Sequence, residues 1–366
     1  MVENKNGIVL CMIVKNEAAV IARCLEAVKP LVSAWVVVDT GSTDGTREIV
    51  REVMKDIPGE LVDRPWKNFG HNRTEALELA RGRGDYSLVL DADDVVELAP
   101  GLELPPLDLD SYKVGIRYGA ISYDRVQLLR NDRSWRYEGV IHEHPASDTA
   151  KTQGKLAGVT YVIHRDGARA KDPHRFEHDA ELLEGALVEE PQNTRYAFYL
   201  AQSYRDAELF EKALAAYEHR ATMGGWIEET FHALLEVARM HERQGHLFQV
   251  VHAAYLKAYE ARPQRAEPLH DLAKYCRLQS RFVLARLYAG VAAEMPRPDD
   301  SLFVSDSVYT WRAKDELAVS AYHSGEPALG RRVLEKLLSD GVVPPQDEPR
   351  LRDNLEWCLK ALAKAG

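Results

Sequence analysis

Four short strand-like runs alternate with helical stretches over the first hundred residues of the chain. The strand-like runs are 8–14, 35–38, 60–63 and 86–90, and the helical stretches are 17–28, from about 44, and 72–81. A continuous apolar run such as IVLCMIV is typical of a strand covered on both faces. Strand–helix alternation of this kind predicts an α/β domain with a mostly parallel sheet and right-handed crossovers.

Polar motifs directly follow three of these runs. They are Lys15-Asn16-Glu17, Asp39-Thr40-Gly41-Ser42 and Asp91-Ala92-Asp93-Asp94. In open parallel sheets, ligands bind outside the carboxyl ends of the strands. The sequence therefore predicts that the three motifs meet at one ligand crevice.

The pattern changes after about residue 100. A Pro-rich connection (102–110) is followed by an antiparallel pair (112–118 and 122–129) and a further strand (158–163). From about residue 173 the chain is helical. We expect an α/β domain over residues 1–172 and an all-α domain over residues 173–366.

Small residues recur through the helical part in the spacing of tetratricopeptide-like helix pairs. Ala201, Ala238, Ala273 and Ala318 are separated by 37, 35 and 45 residues. The repeat unit is about 34 residues, so the third step carries an insertion, which residues 296–300 fill. A small residue at this position lets the two helices of a pair approach closely. An irregular helical bundle is the alternative.

Bulk composition excludes several classes of protein. The net charge of −10 disfavours a large nucleic-acid surface, which needs clustered Lys and Arg. Residues 1–6 are polar, and the apolar run after them is too short for a signal sequence or a membrane span. The cysteines, Cys11, Cys24, Cys276 and Cys358, form no C-x-x-C pair and indicate free or buried thiols. We expect a cytoplasmic protein.

The Asp91-Ala92-Asp93 motif is informative because of its position. Asp108-Leu109-Asp110 is a second Asp-x-Asp match, but it lies in the Pro-rich connection, where we expect solvent. Carboxylates at the end of a buried strand are costly without a cation. A Mg²⁺ or Mn²⁺ ion bridging to a diphosphate would satisfy them, whereas a structural acidic turn is the alternative.

The segment from Asp39 to Thr46 is the second candidate. Gly41 and Gly45 permit tight turns near a ligand, and Asp39 can accept hydrogen bonds from a base or a ribose. It is not a Walker loop, since G-x-x-x-x-G-K-[ST] is absent. An ordinary strand–turn–helix connection is the other interpretation.

Together these motifs resemble the family 2 glycosyltransferases of the GT-A fold. The matching segments are residues 11–17, 37–46, 68–73 and 90–94. They cover residues 7–100, and the resemblance weakens toward residue 170. The fusion to tetratricopeptide-like repeats is similar to a subgroup that includes peptide S-glycosyltransferases of the sublancin type.

The resemblance implies a role for each matching residue. Glu17 and Asp39 would contact the base and ribose, Arg73 would lie beside the diphosphate, and Asp91 would approach the ribose. The implied nucleotide-sugar contacts are Val14, Asn16, Glu17, Asp39, Arg73, Asp91 and Ala92.

The metal ligands are also implied by the resemblance. Asp93 would bind the divalent ion, and His164, directly after the strand at 158–163, would be a further ligand unless it is a core histidine. Asp94 departs mildly from the family, which often has Glu there.

A catalytic base is expected from the segment 135–144. An inverting transfer needs a carboxylate to take the proton of the acceptor. Glu143 is the first candidate and Glu138 the second, although this segment could instead only shape a loop.

We therefore predict an inverting, metal-dependent sugar transfer from a nucleotide-diphosphate donor, with a UDP-sugar first among the candidates. The acceptor would be a peptide, a protein or a surface glycan, held partly by the repeats, which could also form a homodimer. Two alternatives are a repeat scaffold with a degenerate sugar-nucleotide-binding domain and a sugar nucleotidyltransferase.

Overall fold

The computed structural model describes residues 7–119 and 121–365, so Met1–Asn6, Ala120 and Gly366 of the expected domains lie outside the described residues. The chain divides into two compact units, Met1–Glu189 and Glu190–Gly366. This division lies one helix beyond the 172/173 boundary expected from the sequence. Asp179 in that helix makes a bidentate ion pair with Arg169, at 2.6 and 2.7 Å, which ties the helix to the first unit.

The first unit is built on a mixed sheet. Its strands are β1 (Ile8–Val14), β2 (Ala34–Asp39), β3 (Gly59–Asp63), β4 (Tyr86–Val89), β5 (Asp94–Leu98), β6 (Ser111–Tyr118), β7 (Ile121–Arg130), β8 (Trp135–Glu138), β9 (His144–Ser147) and β10 (Gln153–Ile163). The large sheet has the order β3-β2-β1-β4-β7-β6-β10-β5, and β8 pairs with β9 separately. The β3, β2, β1 and β4 strands are parallel, which confirms the predicted α/β architecture.

Helices connect the parallel strands. The helices of this unit are α1 (Ile21–Val28), α2 (Thr46–Val53), α3 (Phe69–Ala80), α4 (Ala168–Lys171) and α5 (Arg175–Glu189), with a 3₁₀ turn at Lys29–Leu31. Nearly every residue of β1 and all of β2 are buried, as expected for strands covered on both faces. The sequence did not predict β5, β8 and β9, because strands of four or five half-buried residues are too short to show a period.

The second unit is a succession of antiparallel helices. They are α6 (Thr194–Asp206), α7 (Phe210–Thr222), α8 (Ile227–Arg243), α9 (Phe248–Ala261), α10 (Glu267–Leu278), α11 (Phe282–Glu294), α12 (Ala313–His323), α13 (Pro327–Asp340) and α14 (Glu348–Ala365), with a π-helical turn at Val308–Arg312. The four recurring alanines, in α6, α8, α10 and α12, are fully buried. This burial confirms the tetratricopeptide-like interpretation of the spacing.

Ion pairs join the first helices of successive pairs. Arg205 of α6 lies 3.4 Å from Glu236 of α8, Arg239 of α8 lies 2.6 Å from Asp271 of α10, and Arg277 of α10 lies 2.5 Å from Glu316 of α12. Their partners are 31, 32 and 39 residues apart, close to one repeat. The repeat spacing therefore places charges as well as alanines in register.

The described cysteines are free and buried, as the sequence indicated. Within residues 7–119 and 121–365, no helix is long and apolar enough to span a bilayer.

We predict that Ala238→Leu destabilises the helical unit by about 1–3 kcal/mol, because the added atoms have no room at a helix–helix contact. Urea unfolding followed by far-UV circular dichroism would measure the change. Ala215→Leu, at an exposed position of α7, is the matched control and should be nearly neutral. Equal stability of the two variants would contradict close helix packing at Ala238.

His232 predicts a specific loss of stability in acid. The side chain is 5% exposed, and burial lowers its pKa to about 4. Between pH 6.5 and about 4 the unfolded chain binds a proton that the folded chain does not, so stability falls with pH by about 2–3 kcal/mol. His232→Phe should remove this component. Unfolding curves of both chains at pH 7 and pH 4.5 would test it, and parallel losses in the two chains would contradict it.

Candidate active site

The loops after β1 and β2 are bound to each other at the carboxyl edge of the sheet. The Asn16 amide donates to Ser42 Oγ (2.9 Å), the Thr43 amide donates to Asn16 Oδ1 (2.8 Å), and the Glu17 amide donates to Thr46 Oγ1 (2.8 Å). Asn16 has φ of 58°, a left-handed conformation that Asn tolerates better than most residues. These bonds occupy the residues after β1, so the first helix begins at Ile21 and not at the predicted residue 17. They also hold the loops after β1 and β2 together.

Asp39 presents a buried acceptor at the end of β2. Its carboxylate Oδ1 accepts from the Gly41 and Ser42 amides (2.9 and 2.8 Å) and from Arg47 Nη2 (2.8 Å). Burial alone would raise the pKa of Asp39, but these hydrogen bonds outweigh it and lower the pKa below its usual value. Among the described residues, Oδ2 has no hydrogen-bond partner although it is buried. Asp39 is therefore a charged acceptor with one free oxygen.

Arg73 connects two carboxylates. It lies in the second turn of α3, whose first turn is capped by Asn68 accepting from the His71 amide at 2.7 Å. Arg73 Nε donates to Glu143 Oε1 at 2.6 Å, and Nη2 donates to Asp91 Oδ1. The arginine side chain is only 12% exposed. The buried Arg73 guanidinium therefore holds Asp91 and Glu143, the first candidate base, in one cluster.

Asp94 completes the acidic group behind Asp91. Arg125 Nη2 lies 4.0 Å from Asp91 Oδ2 and 3.8 Å from Asp94 Oδ2. Burial would raise the pKa of Asp91, but the charges of Arg73 and Arg125 lower it. Burial and the neighbouring charge of Asp91 raise the pKa of Asp94 to about 8. Two arginines thus compensate Asp91, whereas Asp94 tends to hold a proton.

Asp93 and Glu17 converge on the backbone at Gly167. A Cβ atom there would lie 2.9 Å from Glu17 Oε2 and 3.1 Å from Asp93 Oδ2, so a side chain at this position would force these carboxylates to shift. The Ala168 amide donates to Glu17 Oε2 at 3.1 Å. Burial, with the nearby charge of Asp93, raises the pKa of Glu17 to about 7, and burial, with the charge of Asp91, raises the pKa of Asp93. Among the described residues, neither carboxylate forms an ion pair, although the charge of Lys171 acts on Glu17.

Comparison with known proteins agrees with this geometry. Residues 9–101 match the model of glycosyl transferase family 2. The first unit carries a family 2 glycosyltransferase domain. The matched residues contain β1 from its second residue, all of β2 to β5, and every site residue described above except Arg125, Glu143 and the Gly167–Ala168 segment.

Two relatives extend the similarity. A TPR repeat-containing protein of Synechococcus elongatus is 35% identical over 143 residues, covering 37% of this chain and 34% of that protein. The prophage-derived glycosyltransferase SunS of Bacillus subtilis is 24% identical over 217 residues, covering 56% of this chain and 50% of SunS. The matched part thus spans half or less of these curated relatives. Among solved structures, a tetratricopeptide repeat protein of Parabacteroides merdae is 16% identical over 52% of this chain and 70% of its own, with a TM-score of 0.38.

The remaining predicted residues lie at different places in the first unit. Val14 ends β1, and its carbonyl accepts from the Thr40 amide at 2.9 Å, while Ala92 is buried between the two motif acids. His164 is exposed and directly follows Ile163, which pairs with Asp94 at the end of the β10–β5 ladder. Glu138 instead forms an ion pair with Arg136 at 2.6 Å on the β8–β9 hairpin.

Three residues of the cleft were not identified from the sequence. Arg47 follows the second motif by one residue, and that proximity was the available signal. Arg125 belongs to β7, and Gly167 lies beyond β10. Nothing in their local pattern indicates that the sheet brings Arg125 to Asp91 or Gly167 to Asp93.

In the second Asp-x-Asp segment of the first unit, Asp110 is structural. We expected a solvated connection, and Asp108 is exposed, but Asp110 is buried, which corrects the expectation for that residue. Its carboxylate accepts from the Lys151 amide (2.8 Å), the Thr152 amide (3.0 Å) and Arg133 Nε (2.7 Å). These bonds fasten the segment before β6 to the one before β10, so Asp110 has no free oxygen for a ligand.

Proposed function

We propose that the first unit transfers a sugar, with inversion, from a nucleoside-diphosphate sugar to a peptide, protein or surface-glycan acceptor. The observation that carries this proposal is the free Oδ2 atom of buried, ionised Asp39. A buried charged acceptor without a partner is costly. A nucleotide base or ribose that donates a hydrogen bond would satisfy it. We take a UDP-sugar as the first candidate donor.

Arg73 and Glu143 would act on the two ends of the transfer. The acceptor atom bonds to the anomeric carbon while the bond from that carbon to the diphosphate oxygen breaks and the nucleoside diphosphate leaves. Glu143 would take the acceptor's proton, and Glu138 is the second candidate for this step. Arg73, which pairs with Asp91 and Glu143 before the substrate binds, would also stabilise the negative charge that develops on the leaving diphosphate. The ion pair at 2.6 Å keeps both groups in place before the substrate binds.

A divalent cation fits the residues beside this cluster. Asp93 carries a raised pKa from burial and from Asp91, and no ion pair involves it among the described residues. Those residues contain no group of three or more His, Cys, Asp or Glu that could hold a metal alone. Mg²⁺ commonly binds one or two carboxylates together with substrate phosphates, so Asp93, with His164 as second ligand, would hold it with the donor. The ion would supply Lewis-acid stabilisation of the diphosphate.

The second unit would hold the acceptor or pair two copies of the chain. Stacked helical repeats offer extended surfaces suited to polypeptides. We propose residues 1–172 as the catalytic part and residues 173–366 as the part that serves the acceptor or dimerisation.

Donor turnover tests the proposal directly. Purified chain would be incubated with a panel of UDP-, GDP- and TDP-sugars and Mn²⁺ or Mg²⁺, and release of nucleoside diphosphate would be measured. We expect metal-stimulated hydrolysis of at least one donor. Binding of donors by isothermal calorimetry without turnover toward any acceptor would instead favour a non-catalytic sugar-nucleotide-binding scaffold. If the folded protein neither binds nor turns over any donor, donor recognition is refuted.

Asp39→Asn should weaken the donor about 10- to 100-fold. The asparagine side chain keeps an acceptor oxygen for the Gly41 and Ser42 amides. It lacks the negative charge, however, and it has an NH₂ group in place of the Oδ2 atom that would accept a hydrogen bond from the nucleotide. Hydrogen bonds to a charged group contribute about 1.5–3 kcal/mol. Calorimetric titration with UDP and with the active donor would measure it. Asp63→Asn, which alters the exposed partner of Arg47 at 2.5 Å, is the matched control. Unchanged affinity in Asp39→Asn would exclude Asp39 from donor binding.

A further inference from the structure

A segment between two helices of the second unit crosses the first helices of three successive pairs. This segment, residues 295–307, is called the insert, and it accounts for the long third repeat step. It contacts α6 through Phe198, α8 through Glu228 and α10 through Glu267. A loop that only joined α11 to α12 would need none of these contacts.

Arg265, just before α10, binds the insert through both terminal nitrogens of its guanidinium. The side chain is 1% exposed. Nε and Nη2 donate to Glu267 at 3.0 Å each, Nη1 donates to Asp300 (3.3 Å) and the Leu302 carbonyl (3.1 Å), and Nη2 donates to the Phe303 carbonyl (3.1 Å). Arginine has five N–H donors, and all five are used. Three of them would lose their partners if the insert left.

Two helix carboxylates bind the main chain of the same segment. Glu228 Oε2 accepts from the Ser301 and Leu302 amides at 2.9 and 2.7 Å. Glu267 Oε1 accepts from the Ser305 amide at 3.0 Å. Side chains of the second unit thus form hydrogen bonds with main-chain amide and carbonyl groups over residues 301–305. Proteins recognise an extended peptide in this manner, with main-chain bonds for affinity and side-chain contacts for specificity.

Phe303 is the aromatic contact of the insert. Its ring lies 4.8 Å from the ring of His232 and 6.5 Å, nearly parallel, from that of Phe198. The residue has φ of 48°, which is rare for a bulky side chain, and it remains 53% exposed. Such a conformation costs about 1–3 kcal/mol and persists only where its surroundings hold it. This strain reduces the net free energy with which the insert is held.

We propose that α6, α8 and α10, with Arg265, form a peptide-binding site for an acidic residue followed three positions later by an aromatic residue. The insert occupies this site in cis through Asp300 and Phe303. A polypeptide partner with the same pattern takes its place in trans. The site lies within the second unit and does not depend on the sugar transfer proposed above. A tethered ligand has a high effective concentration, so the partner competes with the insert.

The test uses the full chain and a fluorescein-labelled peptide with the sequence of residues 295–307. In one variant, residues 297–306 are replaced by a Gly-Ser sequence of equal length, which empties the site. Fluorescence anisotropy should show at least ten-fold tighter binding to this variant than to the wild type. The Asp300→Asn and Phe303→Ala peptides should each lose ten-fold or more, and a scrambled peptide should not bind.

A point variant makes the test independent of that replacement. Phe303→Ala in the full chain removes the aromatic contact but leaves the Arg265 bonds to the main chain available. It should bind the wild-type peptide at least five-fold more tightly than the wild-type chain does. Val283→Ala, an exposed apolar change on α11, is the control and should behave as wild type. Equal peptide binding by the Phe303→Ala and wild-type chains would overturn the proposal. So would a folded Gly-Ser variant that binds the Asp300→Asn peptide as tightly as the wild-type peptide.

Discussion

Arg73→Met should abolish most sugar transfer and also destabilise the first unit. The buried guanidinium contacts both Asp91 and Glu143, so its loss leaves Glu143 without its ion-pair partner and Asp91 with only Arg125, 4.0 Å away. Breaking a buried charge pair by removing one partner costs about 3–5 kcal/mol. Loss of a cation that stabilises developing charge lowers kcat by about 10²–10³-fold. Both effects should appear in the same variant.

Steady-state turnover and urea unfolding of the same preparation would measure these effects. Arg83→Met is the matched control, because Arg83 forms a comparable ion pair with Glu60 at a partly exposed position. Exposed pairs contribute about 0–1 kcal/mol, so this control should keep its activity and nearly all its stability. An Arg73→Met chain with normal turnover would remove Arg73 from the proposed mechanism.

The parts of this site that were predictable are those that local patterns encode. The bounds of β1 were predicted to the residue, because an uninterrupted apolar run needs only neighbouring residues to define it. The motif acids Asp39, Asp91 and Asp93 were found because strand ends in a parallel sheet share one edge. Their positions in the chain sufficed to expect them together.

The parts that were missed depend on pairs that are distant in sequence. The contact of Arg73 with Glu143 joins residues 70 positions apart, and that of Gly167 with Glu17 spans 150. Glu143 could be suggested only as one of two acids in a segment; it pairs with Arg73 beside Asp91, whereas Glu138 pairs with Arg136 on the β8–β9 hairpin. The insert shows the same limit, since its length was visible as an irregular repeat step but its contacts with α6 and α8 were not.

Asp93→Asn should raise the stability of the protein, whereas Arg73→Met lowers it. Like Arg73→Met, it should suppress sugar transfer. The pKa of Asp93 is raised by burial and by Asp91, so the folded protein disfavours its charged form. A group with a raised pKa lowers stability as pH rises above its unfolded value of about 3.9. A neutral amide of the same shape removes that destabilisation. Without metal, Asp93→Asn should therefore melt at a higher temperature than wild type at pH 8, and the difference should shrink toward pH 4.

Transfer should fall in this more stable variant because the amide is a weak ligand for Mn²⁺ or Mg²⁺. Metal stabilisation of a leaving diphosphate is worth several kcal/mol, so we expect at least a 10²-fold lower kcat, with half-saturation at higher metal concentration. UDP with Mn²⁺ should raise the melting temperature of wild type more than that of the variant. Asp108→Asn, the same change in the second Asp-x-Asp segment, is the matched control. Full, metal-stimulated activity in Asp93→Asn would eliminate Asp93 as the ligand, whereas a stabilised but inactive chain would separate its catalytic role from any structural one.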